Sequence, residues 1–357
     1  MSKTVIVAAD KIIDGQGNLD RSQAMESRIR SQNITPVSLV IDPLKAGWHS
    51  PVADNHFRSG CAPIEALKRA FELINNDGEH AVIISGEELL KTGYDREERL
   101  RLMAIYGSDY PITEAYNELA GQFILNSGAS ESLFKQCAEG LFNNYKKTFL
   151  ADAIAKSQGD PQIPGDKWFN PITSRFRGVD CANPLIDFNG RLVLVSDALA
   201  RELGVGAQQQ VAVSGVDVQI LDGDGREYID QISTYEHLRL SFLNSCEQAG
   251  VNFSSRFKNQ QALLEVYSCY PVVPMAFMLV SGLIRTLAEL PELLKSYAVT
   301  VTGGMNLARA PWNNPALNGL ITMYQQLQAD TPQKLAAVHG NGGLGYRQGV
   351  AILEQLD

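Results

Sequence analysis

The chain has 357 residues, of which 45% are hydrophobic and 20% charged, and its formal net charge is −9. This composition is typical of a globular protein of two or three domain-sized units that buries its core without disulfides or a structural metal. The negative charge and the lack of a basic stripe argue against a nucleic-acid partner. The five cysteines are widely spaced and form no CxxC pair, so the sequence predicts neither a disulfide framework nor a metal site.

Two segments bear on where the protein works. The first residues, MSKTVIVAAD, predict a strand and lack the cationic and apolar regions of a signal peptide. The longest apolar stretch, residues 270–284, contains prolines and is too short to span a bilayer. We therefore expect a cytoplasmic protein without a membrane span.

The N-terminal third shows an α/β pattern. Short apolar runs at residues 4–9, 37–42 and 81–86 are typical of buried strands. Between the last two runs, residues 63–76 carry an apolar face with helical spacing, and Gly78 follows as a stop signal. The order strand, helix, strand predicts a mostly parallel sheet with helices on its faces.

The middle of the chain differs, because it has helical periodicity at residues 112–124 and 131–155 and no strand run. A strand-to-helix pattern resumes at residues 191–204. We interpret the strand-free stretch as an inserted helical loop domain. The predicted organisation is an N-terminal half of residues 1–104 plus 190–205, an inserted loop domain of residues 105–189, and a C-terminal half of residues 206–357.

The second half repeats the alternation of strands and helices, although no residue-level repeat is visible. Glycines follow several of the strands, and α/β folds place their ligand sites at such strand ends. The predicted elements are a strand pair at 210–221, a helix at 235–250, a strand at 263–268, a buried helix at 272–290, a strand with a glycine turn at 298–304, and another at 335–345.

The first segment that could carry chemistry is RSGCAPIEALKRA, residues 58–70. Pro63 suits the first turn of a helix, which places Cys61 just before the helix start. The exposed N–H groups there, together with Arg58, would lower the pKa of the thiol and favour the nucleophilic thiolate. The alternative is that Cys61 is a small buried side chain.

The second segment is EVYSCYPVVP, residues 265–274, in which a predicted strand ends in a polar turn. Ser268 and Cys269 in this turn are candidates for a nucleophile or an oxyanion donor. The alternative is a packed entry into an apolar helix, since free cysteines are so often buried.

The third segment, residues 301–315, contains Gly303 and Gly304, which permit close approach of a ligand to the backbone. Asn313 and its neighbour Asn314 could bind a ligand or cap the next helix.

In the fourth segment, residues 338–349, His339 ends a predicted strand and could act as an acid or base. The turn that follows, GNGGLG, includes Gly342 and Gly343 as candidate ligand contacts. It matches neither a Rossmann fingerprint nor a P-loop.

In order and approximate spacing, these segments resemble the thiolase superfamily. The matching runs are SGCAPIEALKRAFELINNDGEHAVIISGEE, DCANPLIDFNGRLVLVSDALARELG, EVYSCYP, TGGMNLARAPWNNP and HGNGGLG. The resemblance is closest to the divergent thiolase-like and sterol-carrier-type branch of acetyl-CoA acetyltransferases. It implies a layered αβαβα fold of two related halves, a coenzyme A thioester as substrate with no permanently bound cofactor, and a homodimer with an isologous interface.

The catalytic positions depart from the family pattern. Aligned without gaps, the nucleophile's position falls on Gly60, with Cys61 one residue later, whereas a one-residue deletion would restore Cys61 to that position. Ala310 replaces the histidine of the Gly-His-Pro motif, which stabilises the thioester enolate, and His339 replaces the second cysteine. Ser268 takes the place of an asparagine or aspartate.

Two functions remain compatible with the sequence. In the first, an acyltransferase forms an acyl-enzyme on Cys61, or less favourably Cys269, while His339 moves the proton and N–H groups near the glycines hold the oxyanion. In the second, a catalytically inactive chain serves as an acyl-CoA binder or a scaffold subunit.

Overall fold

The computed structural model describes residues 3–48, 50, 52–155, 163–329 and 332–356. The strands are β1 (Thr4–Ile13), β2 (Gln16–Asn18), β3 (Val37–Ile41), β4 (His56–Phe57), β5 (Ala81–Leu89), β6 (Asp187–Ser196), β7 (Val211–Ile220), β8 (Ala262–Glu265), β9 (Leu335–Gly342) and β10 (Arg347–Gln355). The helices are α1 (Asp20–Ser31), α2 (Ala62–Asn75), α3 (Arg96–Met103), α4 (Ile112–Ser127), α5 (Glu131–Ala155), α6 (Asp197–Glu202), α7 (Ile229–Ile232), α8 (Glu236–Ala249), α9 (Phe253–Lys258), α10 (Val272–Val280), α11 (Leu290–Ser296) and α12 (Pro315–Gln328).

The described strands form two half-sheets that repeat one topology. The strand order is β4-β3-β5-β6-β1 in the N-terminal half and β7-β10-β9-β8 in the C-terminal half, with β2 paired to β1. In each half the first strand lies antiparallel beside the last strand, and two other strands, β3 with β5 and β8 with β9, run parallel to each other. Because β5 with β6 and β9 with β10 are also antiparallel, the sheet is mixed and not mostly parallel as predicted. The halves are joined where β1 meets β7 over the pairs Val5↔Ala212 and Ile6↔Val211.

The helices α2 and α12 form the middle layer between the two half-sheets. Their apolar side chains share one core with inward-facing residues of both half-sheets, such as Ile84 and Val338. The helix α1 packs on the outer face of β1 and β6, and α8 packs on β7 and β10. The result is the layered αβαβα fold that the thiolase resemblance implies, so the predicted fold class is confirmed.

The inserted segment is helical, as predicted, and packs on the C-terminal half. Its helices α4 and α5 share a core with α8, α10 and the outer faces of β8, β9 and β10. The domain boundaries placed within the sequence stay a prediction.

Four details of the second half were predicted wrongly. Residues 210–221 form one strand with an irregularity opposite Ile352 and Leu353, and the buried helix of residues 272–290 breaks after Val280, where Gly282 has a φ of +71°. The strand β10 was missed. The predicted strand at 298–304 is absent from the described chain, because the N–H groups of Val301 and Thr302 bind the Glu265 carboxylate and not a neighbouring strand.

The middle layer generates the first testable prediction. Leu320 on α12 is fully buried between the half-sheets, so Leu320→Ala leaves a cavity that the layers on both sides hold open. We expect the free energy of unfolding to fall by about 2–5 kcal/mol in urea denaturation. Leu100→Ala on α3, where the side chain is 55% exposed, is the matched control and should change it little. Equal effects of the two substitutions would contradict the layer assignment.

Candidate functional site

Cys61 lies immediately before α2, as predicted, but its surroundings are those of a packed side chain. The residue is fully buried, and its Sγ lies 2.9 Å from where a Cβ at Gly349 would be, with Gly340 also alongside. Burial, and then the negative charge of Glu65, raise the pKa of the thiol well above its ordinary value. The expectation that the helix start would lower this pKa is therefore wrong, because desolvation disfavours the thiolate more strongly than the helix N-terminus favours it.

His339 lies within β9, not at its end as predicted, and on the other face from Cys61. Successive side chains of a strand point to opposite faces. Gly340 faces α2 and Cys61, whereas the His339 ring packs on Phe277 of α10, with ring centroids 5.0 Å apart. The sheet therefore separates the predicted nucleophile from the predicted proton carrier.

The His339 ring is held neutral by its partners. Its Nδ1 accepts a 3.4 Å hydrogen bond from the Tyr267 N–H, which assigns the ring proton to Nε2. Nε2 then donates to the Gln348 side-chain oxygen at 2.7 Å. Burial is the main reason that the pKa of His339 falls to about 4, so the ring is neutral at neutral pH.

A buried polar network continues from Gln348 to the inserted segment. The Gln348 amide donates to Asn341 Oδ1 at 2.7 Å, and the Asn341 amide donates to the Tyr116 hydroxyl at 3.1 Å. That hydroxyl donates to the Gly343 carbonyl at 2.6 Å and accepts from the Cys269 thiol at 3.4 Å. Sequence reasoning missed Tyr116, Asn341 and Gln348, although a glutamine two residues before the apolar run of residues 350–353 was a usable signal.

Cys269 and Ser268 are both buried and have structural roles. Burial raises the pKa of the Cys269 thiol to about 12. The Ser268 hydroxyl accepts the Met305 N–H at 3.0 Å and fixes the turn that follows Gly304. Within the described chain, neither the Cys269 thiol nor the Cys61 thiol is hydrogen-bonded to His339.

Gly303 and Gly304 serve the packing of the inserted segment. Both have positive φ, +88° and +82°. A Cβ at Gly303 would lie 2.9 Å from Phe149 Cα, and one at Gly304 would lie 2.8 Å from Tyr145 Cγ. These glycines let the turn approach α5, which accounts for them without a ligand.

The remaining predicted ligand contacts also have structural partners. The Asn313 amide donates to the Asp42 carbonyl at 2.9 Å and does not cap α12. A Cβ at Gly342 would lie 2.7 Å from Ser59 Oγ, and one at Gly343 would overlap the Asp224 carboxylate. Close approach of loops therefore explains the glycine turn.

The space beside Gly60 is filled from the opposite half. A Cβ at Gly60 would overlap the Tyr267 hydroxyl and the Asn341 carbonyl oxygen. Tyr267 follows β8 directly and is itself buried. Any side chain at position 60 would therefore clash with Tyr267 as it now lies.

A small cavity lies at Ala310, the residue that the sequence resemblance aligns with the Gly-His-Pro histidine. Ala310 lines it together with Glu265, Tyr267, Asn318 and His339. Its volume is about 10 Å³, the size of a single water. A substrate group larger than one water molecule can enter only if the surrounding side chains move.

Glu265 is the most unusual ionisable group at this cavity. Its carboxylate accepts the Val301 N–H at 2.7 Å, the Thr302 N–H at 3.0 Å and the Thr302 hydroxyl at 2.6 Å. Burial nevertheless raises the pKa of Glu265 to about 7. The cavity thus holds a carboxyl group that titrates near neutral pH and a neutral imidazole, but no thiolate.

Two further features of the described residues complete this description. No group of three or more histidine, cysteine, aspartate or glutamate side chains there could hold a metal ion. None of the helices there is long and apolar enough to cross a membrane.

The fold is shared with solved thiolase-type structures, whereas no protein-family model and no curated protein sequence matches the chain. A monomeric SCP2-thiolase-like protein type 1 from Mycobacterium smegmatis is 17% identical with a TM-score of 0.71, over 99% of this chain and 78% of that one. The Ltp2-ChsH2(DUF35) aldolase is 15% identical with a TM-score of 0.66, over 99% and 98%. Human mitochondrial 3-ketoacyl-CoA thiolase is 12% identical with a TM-score of 0.63, over 99% of each chain.

Near-complete coverage at such low identity defines the class by its fold. The chain has the thiolase-like fold, and the resemblance noted in its sequence is confirmed at that level. What the protein does with this fold has to be argued from its own residues.

Burial of the thiols predicts low cysteine reactivity. Burial raises the pKa of all five thiols, Cys61, Cys137, Cys181, Cys246 and Cys269. Since the thiolate is the reactive form, limiting iodoacetamide at neutral pH should label the native protein slowly at every cysteine. Peptide mapping after labelling in denaturant is the control and should find all five modified. Rapid native labelling of Cys61 would restore the sequence-based expectation.

The second prediction from this site concerns pH. Because burial raises the pKa of Glu265 to about 7, the folded chain retains a proton that the unfolded chain releases near 4.5. The contribution of Glu265 to the free energy of unfolding therefore falls as pH rises from about 5 to 8. Glu265→Gln should remove this dependence, on the order of 2–3 kcal/mol, leaving a constant offset for the altered hydrogen bonds.

Urea denaturation across this pH range measures the difference between Glu265→Gln and the original chain. Burial also raises the pKa of Glu88, on β5, to about 7. Contributions of His339 and Glu88 cancel in that difference, because both residues are present in both proteins. The exposed Glu97→Gln should leave the pH profile unchanged. Parallel profiles for Glu265→Gln and the original chain would show that the carboxyl group does not titrate near 7.

Proposed function

We propose that this thiolase-like chain is a non-catalytic subunit that uses the fold as a scaffold within a complex. The observation that carries the proposal is the Tyr267 hydroxyl, which lies where a side chain at position 60 would begin. In the ungapped alignment with the family that position belongs to the nucleophile, and here it is a glycine whose Cβ space is already filled. A one-residue deletion would align the nucleophile with Cys61, which is fully buried.

The rest of the reaction centre supports the same proposal. Acyl transfer through cysteine needs a thiolate, a proton carrier within reach and an oxyanion site. Burial holds Cys61 as a thiol with a raised pKa, and the sheet separates it from His339. Carbon–carbon bond formation would also need an enolate site, and Ala310 offers no hydrogen bond there.

The second candidate is an acyltransferase that takes a coenzyme A thioester as substrate. One observation favours it: Cys61 immediately precedes α2, at the positive end of the helix dipole. Cys61 or Cys269 would be the nucleophile, and His339 and Ser268 would assist. Ligand contacts would come from Gly303, Gly304, Asn313, Gly342 and Gly343. This candidate requires Tyr267 to move and the neighbouring cavity to open.

A scaffold role needs a protein partner. Among the similar structures, one contains Ltp2 together with ChsH2, and another is described as monomeric. These two precedents differ in their assembly, so the homodimer stays a prediction, as does the cytoplasmic location. We propose that the scaffold acts within a hetero-complex.

Intact-mass analysis after incubation with acyl-CoA thioesters of several chain lengths tests the proposal. We expect no acyl adduct, and no release of free coenzyme A above that of Cys61→Ser, because no accessible thiolate is present. Cys61→Ser is a near-isosteric control for the same buried position. An adduct that maps to Cys61 and disappears in Cys61→Ser would overturn the scaffold proposal and establish the acyltransferase.

A further inference from the structure

A groove of about 660 Å³ lies on the outer face of the N-terminal half-sheet, away from the cavity at Ala310. It runs over β3 and β5, between α1 and the loops that follow the two strands. The six residue steps from Ile83 to Leu89 along its floor correspond to roughly 20 Å at 3.3 Å per step. The size is within the range of small-molecule sites.

The repeated topology of the two halves explains why the groove exists. In the C-terminal half, the connection after β8 carries α10 and α11, and α9 packs on β8 and β9. In the N-terminal half, the described residues of the equivalent connection, 42–55, form only a 3-10 turn at Leu44–Ala46. The outer faces of β3 and β5 therefore lack the helical cover that β8 and β9 have.

The floor of the groove carries polar side chains, unlike the helix-covered outer face of the C-terminal half-sheet. Outward positions on β8 and β9 carry apolar residues such as Leu264 and Ala337. On β3 and β5, the residues lining the groove include Ser38, Ser85 and Glu87. Apolar side chains are interspersed among these polar groups, so the surface suits a ligand with both characters.

Two arginines and one glutamate form the charged wall of the groove. Glu26 on α1 pairs with Arg30 at 2.7 Å and also with Arg191 on β6. Although burial acts in the opposite direction, the hydrogen bond from Arg30 and the charge of Arg191 keep the pKa of Glu26 below its ordinary value. One carboxylate thus faces two guanidinium groups. With Lys45 and Glu87 included, the lining of the groove carries three positive and two negative side chains.

One donor in this wall has no partner. The Nε–H of Arg191 is buried and makes no hydrogen bond to any of the described residues. A buried unsatisfied donor is costly. Because the Nε atom has no open surface, an acceptor on a ligand reaches it only when the Arg191 side chain, which is 20% exposed, turns toward the groove. An anionic oxygen is the strongest such acceptor for a guanidinium.

We propose that the groove binds an amphipathic organic anion, a carboxylate or phosphate monoester on an apolar body, with the anionic head on Arg191 and Arg30. The apolar body lies along Val40 and Ile83, with the Ser38 and Ser85 hydroxyls beside it. The inference does not depend on the scaffold proposal, because Cys61, His339 and Tyr267 do not line the groove.

Titration calorimetry with four probes tests the ligand class. Octanoate and octyl phosphate carry both features, whereas 1-octanol lacks the charge and acetate lacks the chain. We expect binding of at least one of the first two, with 1-octanol and acetate at least about tenfold weaker. The preferred head group then distinguishes carboxylate from phosphate. No binding of either amphipathic anion at millimolar concentration, or equal binding of 1-octanol, would overturn the proposal.

Three variants locate the binding site. Arg191→Met should weaken binding at least about tenfold, because it removes the unpartnered donor and one positive charge. Ser85→Leu should block the floor of the groove while leaving every charge in place. Arg201→Met on α6, whose side chain is 68% exposed, is the matched control and should bind as the original chain does. Unchanged affinity in Ser85→Leu, with the fold confirmed by its unfolding transition, would place the ligand elsewhere and refute the site.

Discussion

The close approach of the start of α2 to β9 and β10 is the contact on which the centre of this molecule depends. Three glycines make it possible: Gly60 admits the Tyr267 hydroxyl, while Gly340 and Gly349 admit the Cys61 side chain. At such distances a single added carbon is felt, because protein interiors are packed as densely as organic crystals. The two half-sheets are therefore held at the separation set by these small residues, and the same packing leaves little free volume for a substrate.

This packing also sets the charge states at the centre. The low local dielectric keeps Cys61 and Cys269 protonated and His339 neutral. It also raises the pKa of Glu265 to about 7. A helix start alone would favour a thiolate, as the sequence suggested, but that effect is smaller than the desolvation of a fully enclosed sulfur. The candidate reaction centre thus has the residue types of acyl chemistry without the charge states that such chemistry uses.

The sequence allowed much of the fold to be predicted and little of the site geometry. Strands β1, β3 and β5 and helix α2 were found because their apolar spacing is a local signal. Side-chain partners were not found, because Tyr116 and Asn341, or Gly60 and Tyr267, are brought together only by the tertiary fold. The predicted strand at residues 298–304 failed for the same reason: a buried carboxylate distant in sequence took the N–H groups that a strand partner would have bound.

The pairing of β1 with β6 has a consequence for how the chain acquires its structure. Thr4 lies opposite Ser196, so the first strand must find a partner that is separated from it by the whole inserted segment. Contacts of such high sequence separation slow folding, because the closure entropy is lost before the contact stabilises anything. During synthesis, β1 leaves the ribosome long before β6 exists, and its apolar face then has only α1 and nearby segments to cover it. We therefore expect the N-terminal half to complete its sheet late, after the inserted segment has been synthesised.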